Sequence, residues 1–185
     1  MTLLLAGKNV AILAANGFDE NQMTEIQRAL TKVKAVLRTI APEQGVVNGW
    51  QGTGWGHYFP VDAQISEALG SDFDMLVIPG GERAIAKLKT NLHTRRIISH
   101  FMDAGKPIAA IGAGVSLLAL SPQISGRMIA VPEELQGEMQ AVGAVISEEA
   151  QEVDANILSS NGADSAAWVG EALQFFNEAE LKQAA

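Results

Sequence analysis

Short, wholly apolar runs alternate along this chain with longer segments of helical periodicity. Val10–Ala15 is apolar throughout, which is typical of a strand buried on both faces of a sheet. Apolar residues then recur at helical spacing, which predicts a helix over about 20–34. Val36–Ala41 predicts a second strand. A strand, a helix and a strand in so short a stretch form one βαβ unit, so the pattern predicts a parallel sheet.

The same alternation continues to the end of the chain. Further predicted strands are Asp74–Pro79, Ile108–Ile111, Arg127–Val131, Ala155–Ser160 and, more weakly, Ala144–Ile146. Further predicted helices are about 91–104, Val115–Leu120 and about 163–180. Leu92 and Ala166 are among the side chains expected to face inward. The sequence has no linker, low-complexity block or internal repeat, so residues 1–185 are expected to form one α/β domain with a mostly parallel sheet.

Charge and cysteine content exclude several classes of function. Lys and Arg number 13 and Asp and Glu 21, so the net charge is −8. Such a surface repels phosphate backbones and anionic membranes, and we expect neither a nucleic-acid nor a membrane partner. The absence of cysteine rules out disulfides, thiolate metal ligands and cysteine nucleophiles. Met1–Ala6 lacks a basic start and Lys8 ends its apolar run, so no secretory signal is predicted and a cytoplasmic protein is expected.

One segment departs from the composition of the rest. Residues 49–60, GWQGTGWGHYFP, hold four aromatic residues and four of the 18 glycines. Three interpretations stay open: a twisted hairpin packed on a sheet edge, a contact surface for a partner or second copy, or a platform on which a ligand stacks. The side chains of such an interaction surface are Trp50, Trp55, His57, Tyr58 and Phe59.

Three loops lie where open α/β sheets bind ligands, beyond the carboxyl ends of the strands. They are Asn16–Gln22, Pro79–Arg83 and Gly112–Ser116. The glycines of the last two present N–H groups suited to an anion, and they equally meet the steric needs of tight turns. A nucleophile elbow requires serine or cysteine at the turn. This chain has Gly112-Ala113 there, and Ser116 is expected on the surface of the following helix.

The remaining polar residues predict no metal or cofactor site. The glycine-rich turn lacks the third glycine of a dinucleotide fingerprint. His93 and His100 are separated by about 10.5 Å of helical rise, which one ion cannot bridge, so both are interpreted as helix-surface residues. His57 has no partner at ligand spacing, while Asp19 and Glu20 suit the start of a helix without any catalytic role. We therefore expect no metal and no cofactor.

Taken in order, these loops resemble those of the ThiJ/PfpI superfamily. The resemblance covers about residues 7–178. It rests on the strand Val10–Ala15, the turn Gly17–Glu20, Met75–Gly81 with its Pro-Gly-Gly, Gly105–Gly114 with its Gly-Lys-Pro, and Ser159–Gly162. It implies a flavodoxin-like three-layer α/β fold of the class I glutamine amidotransferase type. The superfamily includes peptidases, glyoxalase-type enzymes, deglycases and chaperones.

The same resemblance implies that the catalytic side chains are missing. Catalytic members carry a cysteine followed by a histidine at the elbow, where this chain has Gly112 and Ala113. They place an acidic residue on the first helix, here Gln22, and some place a further histidine where this chain has Val131. The backbone scaffold of the oxyanion hole is retained. The resemblance thus implies no catalytic residue and a vestigial pocket formed by Gln22, Gly80, Gly81, Gly112, Ala113 and Val131.

Within the superfamily the chain most resembles the C-terminal domain of large-subunit catalases. The shared segments are Ile40–Pro42, Val47–Gly49, Val61-Asp62 and the cysteine-free turn Ala110–Val115. This likeness implies a pseudoenzyme that acts through protein association or through chaperone-like, stress-protective stabilisation. We expect a homodimer, because superfamily members commonly pair and the aromatic segment offers apolar surface. A protein client is the other partner considered.

Two alternative functions stay open on the sequence alone. In the first, the vestigial pocket binds a small anion such as a carboxylate at the Gly80-Gly81 amides. In the second, the chain is a hydrolase-like or glyoxalase-like enzyme whose chemistry uses Asp19, Glu20, Ser116 or His57. This requires those groups to converge within about 3 Å of a substrate atom.

Overall fold

A seven-stranded sheet lies at the centre of the protein. The computed structural model describes residues 4–185. The strands are β1 (Asn9–Leu13), β2 (Phe18–Asp19), β3 (Val36–Ala41), β4 (Val46–Trp50), β5 (Trp55–Pro60), β6 (Ala63–Gln64), β7 (Met75–Ile78), β8 (Ile108–Ile111), β9 (Met128–Ile129), β10 (Val145–Ile146), β11 (Gln151–Asp154) and β12 (Ile157–Ser160). The order in the central sheet is β11-β12-β8-β7-β1-β3-β6. All neighbours are parallel except β11 and β12, so the predicted mostly parallel sheet is confirmed.

Helices cover both faces of this sheet. They are α1 (Glu20–Lys32), α2 (Glu82–Lys89), α3 (Leu92–Ala104), α4 (Gln136–Ala141) and α5 (Ser165–Ala184). Short 3-10 helices cover Gly70–Asp72, Gly112–Leu120, Pro122–Ile124 and Glu133–Leu135. The crossovers from β1 to β3 and from β7 to β8 run in opposite directions along the sheet, so right-handed connections place their helices on opposite faces. α1 accordingly packs with α5, and α3 packs with α2 and the 3-10 helix at Gly112–Leu120.

The central strands are those that the apolar runs predict. β7, β8 and β12 are buried along their whole length, and β1 is buried from its second residue onward. A strand covered by helices on both faces has no solvent side, which is why these runs show no polar alternation. None of the helices within the described residues has the length and apolarity to cross a lipid bilayer.

Several predicted elements need correction. The predicted helix Val115–Leu120 begins three residues earlier, at Gly112, and is a 3-10 helix. The predicted strand Arg127–Val131 contributes only β9, which pairs with β10 in a separate two-stranded sheet. Helix α2 was not predicted, although Ala84, Ile85 and Leu88 give it a buried face.

Two side chains expected to face inward are exposed. Leu92 follows the N-cap Asn91 at the first position of α3 and is 84% exposed. Ala166 is exposed on α5, whose buried face is instead formed by Trp168, Ala172 and Phe176. Both residues lie in the first turn of a helix. A residue there can fit the apolar periodicity and still lie outside the part of the helix that packs on the core.

The aromatic segment forms a hairpin, which was the first of its three interpretations. β4 and β5 pair antiparallel, and β2 pairs with β4 to complete a three-stranded sheet. Phe59 packs edge-on against the buried Phe18, with ring centroids 5.0 Å apart. The hairpin thereby lies against the start of α1.

Candidate functional site

The elbow after β8 retains the backbone shape of an active-site turn. Gly112 directly follows β8 and has φ +59°, the left-handed conformation that side-chain-bearing residues adopt only with strain. A Cβ built on Gly112 would have Gln22 Nε2 as its nearest neighbour, at 3.9 Å. The position therefore has room for a side chain, and the sequence supplies none.

Gln22 closes the space in front of this elbow. Its side chain is 8% exposed, and its Oε1 accepts a 2.8 Å hydrogen bond from the Gly80 N–H. The helix start fixes this arrangement, because Asp19 caps α1 by accepting from the Gln22 N–H at 3.0 Å. The Asp19 N–H in turn donates to the Gly80 carbonyl at 2.9 Å. Both backbone groups of Gly80 are thus bound by the first turn of α1.

Gly81 and Gly114 serve close backbone packing at the same site. Gly81 has φ +109° and caps α2, and a Cβ on it would lie 2.5 Å from the Gly17 carbonyl oxygen. A Cβ on Gly114 would lie 2.6 Å from the Ile78 carbonyl oxygen. The sequence alone favoured neither tight packing nor anion binding as the reason for the glycines in these loops. The close contacts at Gly81 and Gly114 support tight packing at both positions.

Two other predicted site residues are buried beside the elbow. Ser116 is not on a helix surface: it is 1% exposed, and its hydroxyl donates to the Ala113 carbonyl at 2.7 Å. The Ser116 hydroxyl is therefore held by a backbone carbonyl, and no hydrogen bond joins it to a histidine or a carboxylate within the described residues. Val131 is buried two residues after β9 and contributes only apolar surface.

The histidines of α3 have structural surroundings. His100 is half-buried, and its Nε2 lies 2.9 Å from Lys106 Nζ, which also donates to the carbonyls of Gly70 and Phe73. Burial lowers the pKa of His100, and the neighbouring Lys106 charge lowers it further. Across residues 4–185, no three His, Asp or Glu side chains come close enough together to hold a metal ion.

Glu20 and His57 form a close pair that links α1 to the hairpin. Glu20 Oε1 accepts from the His57 backbone N–H at 3.0 Å and lies 2.6 Å from His57 Nδ1. Glu20 is 6% exposed, whereas the His57 ring faces solvent. Burial alone would raise the pKa of Glu20, but the hydrogen bonds from His57, helped by the Gln51 amide and the imidazole charge, lower it overall. The carboxylate is therefore ionised at neutral pH.

The hairpin glycines make this pair possible. A Cβ on Gly49 would lie 2.9 Å from Glu20 Cβ, and a Cβ on Gly56 would overlap Glu20 Oε2. Small residues at these two positions let the hairpin backbone close over the Glu20 side chain. Of the four residues proposed for cysteine-free chemistry, the structure brings Glu20 and His57 together, while Asp19 caps α1 and Ser116 lies at the elbow. The spacing of the glycines around Trp50 was the available signal, and it became interpretable only once the hairpin was known to face Glu20.

An open cleft of about 680 Å³ borders this pair. Its lining residues are Asp19, Glu20, Asn21, Thr24, Trp50, Gln51, Gly52, His57 and Phe59. The Arg83 guanidinium lies 3.7 Å from the centre of the Trp50 ring, and Trp55 meets Trp50 edge-on at 5.3 Å. The cleft is therefore bordered by the carboxylate–imidazole pair and by the Trp50 ring, which contacts Arg83 and Trp55.

Comparison with known proteins gives curated relatives of several kinds. General stress protein 18 of Bacillus subtilis (strain 168) is 34% identical over 122 residues, which cover 65% of this chain and 69% of that protein. Deglycase PfpI of Pyrococcus furiosus is 27% identical over 163 residues, 88% of this chain and 95% of that protein. Catalase HPII of Mycobacterium avium is 28% identical over 114 residues, 62% of this chain but 16% of the catalase. The predicted likeness to a catalase domain is thus confirmed at low identity.

Solved structures share the fold. The crystal structure of a ThiJ/PfpI domain protein from Brachyspira murdochii superposes with a TM-score of 0.84 at 20% identity, over 94% of this chain and 98% of that one. Residues 8–174, nearly the whole chain, match the DJ-1/PfpI family. The parallel sheet and the positive φ at the turn after β8 agree with this match. The chain therefore belongs to the DJ-1/PfpI family.

Proposed function

We propose that this chain is a stress-associated member of the DJ-1/PfpI family that works without thiol chemistry, through association with other proteins. The observation that carries the proposal is the hydrogen bond from the Gly80 N–H to Gln22 Oε1, made in front of a Gly112 that has no side chain. Of the two amides predicted to bind an anion, that of Gly80 is already bound, and the position of the nucleophile has no reactive atom. The names of the relatives, a general stress protein and a deglycase, support the stress setting.

The contact surface in this proposal is formed by the exposed rings of β5. Trp55 is 55% exposed and Tyr58 is 72% exposed, and both lie on the same strand. Aromatic rings contribute large contact area for little conformational entropy, which makes them frequent anchors of protein interfaces. The binding of a small anion in the elbow is the weaker alternative, because Gln22 would have to leave the Gly80 N–H first.

Turnover assays test the absence of catalysis. Purified protein is incubated with methylglyoxal, with a glycated amine and with a peptide, and the Glu20→Gln variant is run beside it. We expect no turnover above buffer for either protein. Turnover that co-purifies with the wild type and falls in the Glu20→Gln variant would overturn the proposal in favour of cysteine-free catalysis at the Glu20–His57 pair.

A second assay tests association. Light scattering follows the heat-induced aggregation of a client enzyme in the presence of this protein, and we expect the aggregation to be reduced. The Tyr58→Ser variant should protect less, because Tyr58 is more exposed than Trp55, the other large ring of this surface. Leu92→Ala is the matched control, since it removes an exposed apolar side chain on α3 instead. No protection by the wild type in molar excess, or equal loss in both variants, contradicts this surface.

A further inference from the structure

The cleft beside the hairpin contains a buried carboxylate oxygen that has no hydrogen-bond partner. Glu20 Oε1 is fully used by His57, whereas Oε2 is shielded from solvent and accepts no hydrogen bond within the described residues. The charge on Glu20 is retained, because its pKa is lowered despite burial, through the His57 hydrogen bonds. An ionised oxygen left without a donor is costly, so a donor that reaches it gains an unusually strong hydrogen bond.

The surroundings of this oxygen select the kind of donor. Two of the nine lining residues, Asp19 and Glu20, are acidic, and none of the nine is Lys or Arg. Trp50 and Phe59 add aromatic surface beside the carboxylates. Anions are repelled by this combination, whereas a cation with an apolar body gains both an ion pair and contact with the rings.

Access to Oε2 depends on the exposed Gln51 side chain. Gln51 is exposed in the turn between β4 and β5, and its side chain approaches Gly56 at the point where Oε2 is covered. Its amide helps to lower the pKa of Glu20, but no hydrogen bond of normal geometry joins it to Oε2, so an entering donor replaces only this weak contact. Its backbone is held by the turn, since the Gln51 N–H donates to the Gly54 carbonyl at 2.9 Å. The Gly56 backbone also lies against Oε2, so a ligand enters on the side that the Gln51 side chain leaves when it swings away.

From this geometry we infer that the cleft is a binding site for an organic ammonium group, which donates to Glu20 Oε2 in place of the Gln51 side chain while its apolar body lies against Trp50 and Phe59. The His57 ring, held through Nδ1, closes the exposed side of the site. The recognised chemistry is a primary amine on an apolar stem. A free amine and the lysine side chain of a protein both have it. The site does not depend on the proposed protein association, because it uses the inner residues of the hairpin and not Tyr58.

Calorimetric titration with three probes of nearly equal size tests the charge requirement. Phenethylammonium carries the cation, phenylethanol is neutral, and phenylpropionate is an anion. We expect phenethylammonium to bind at least about tenfold more tightly than phenylethanol, which corresponds to about 1.4 kcal/mol, and phenylpropionate not to bind. Equal affinity for the charged and neutral probes, or no binding of phenethylammonium, would overturn the inference.

Variants and spectra locate the site. Glu20→Gln should lower the affinity for phenethylammonium at least about tenfold, while Glu67→Gln, which removes one exposed charge elsewhere, should leave it unchanged. Gln51→Ala should bind at least as tightly as the wild type. If Glu20→Gln does not fold, NMR of the wild type decides: shifts confined to His57, Trp50 and Gln51 support the site, and shifts elsewhere refute it.

A lysine peptide and its acetylated form, titrated in the same way, distinguish a protein source of the amine from a free one.

Discussion

Glu20 and Gln22 lie two residues apart in the first turn of α1, and their side chains serve different sites. Glu20 binds the hairpin through His57, and Gln22 binds the elbow through Gly80. One helix start, fixed by the Asp19 cap, therefore positions both. The neutral carboxamide of Gln22 suits its place, because it accepts from the Gly80 N–H without bringing a second buried charge close to that of Glu20.

The glycines of the elbow differ in what they tolerate. Gly112→Ala should cost about 1–2 kcal/mol of unfolding free energy, because its φ is positive but the space around its Cβ is open. Gly81→Ala should cost about 3 kcal/mol or more, because overpacking against the Gly17 carbonyl adds to the backbone strain. Urea unfolding of both variants checks the order, and equal losses would contradict it.

The pairing of His100 with Lys106 makes the fold sensitive to mild acid. The pKa of His100 is lowered in the folded protein, by burial first and by the Lys106 charge second. As the pH falls below about 6.5, His100 takes up a proton in the unfolded chain before it does so in the folded protein. The free energy of unfolding therefore falls as the pH drops from there toward the pKa of His100 in the folded protein. His100→Gln, whose amide oxygen still accepts from Lys106, should flatten this dependence. His93→Gln is the control, and urea unfolding between about pH 7.5 and 5.5 measures both.

At the scale of elements, the first turn of α1 and the β4–β5 hairpin act as a fitted pair. Val47 and Phe59 attach the hairpin to the core, and the approach of its backbone to Glu20 depends on glycine at two places. The hairpin is therefore held by apolar contacts and by a buried carboxylate together. Weakening the contact with the Glu20 carboxylate should loosen β4 and β5 without unfolding the central sheet.

Gly49→Ala should loosen the hairpin selectively. Its new Cβ would lie 2.9 Å from Glu20 Cβ, so helix and hairpin must separate, at a cost of about 1–3 kcal/mol. Gly54→Ala is the matched control, since it lies in the same hairpin with nothing within 4 Å of its Cβ and has no positive φ. Hydrogen exchange of residues 46–60 should rise in the first variant and not in the second. Unchanged exchange in Gly49→Ala would show that Glu20 does not hold the hairpin.

The elements that the sequence predicts well are those whose burial is uniform. β1, β7 and β8 are continuous apolar runs, and α1 has a clear apolar face. β11 was missed because it is a polar edge strand. The start and the type of the Gly112–Leu120 helix were not predicted, because a segment that is apolar all round has no periodicity to read. Gln22, Gly80 and Gly112 were found through a family resemblance. The contact of Glu20 with His57 depends on how the hairpin docks, which local sequence does not encode.

At the scale of the molecule, β5 is one of the sheet edges that no strand of the described residues covers. The three-stranded sheet has the order β2-β4-β5, so β5 lies at its edge and exposes Trp55 and Tyr58. The backbone groups of this strand are partly bound, since the His57 N–H donates to Glu20. Folded proteins usually cover such edges or blunt them with charge, because an open edge pairs readily with another chain. The exposed part of β5 has neither Lys nor Arg nor an acidic residue.

We propose that a second copy of the chain covers this edge, forming a symmetric homodimer across β5. The mass by light scattering should be twice the 19.6 kDa of one chain, and Trp55→Ala should shift it toward the monomer, whereas Leu92→Ala should not. Added salt should change the association little, because rings and backbone hydrogen bonds hold it, not exposed ion pairs. Since the same strand carries the proposed client surface, a second copy and a client should compete for it. A monomeric mass for the wild type at micromolar concentration contradicts the dimer, and an unchanged mass for Trp55→Ala contradicts its placement on β5.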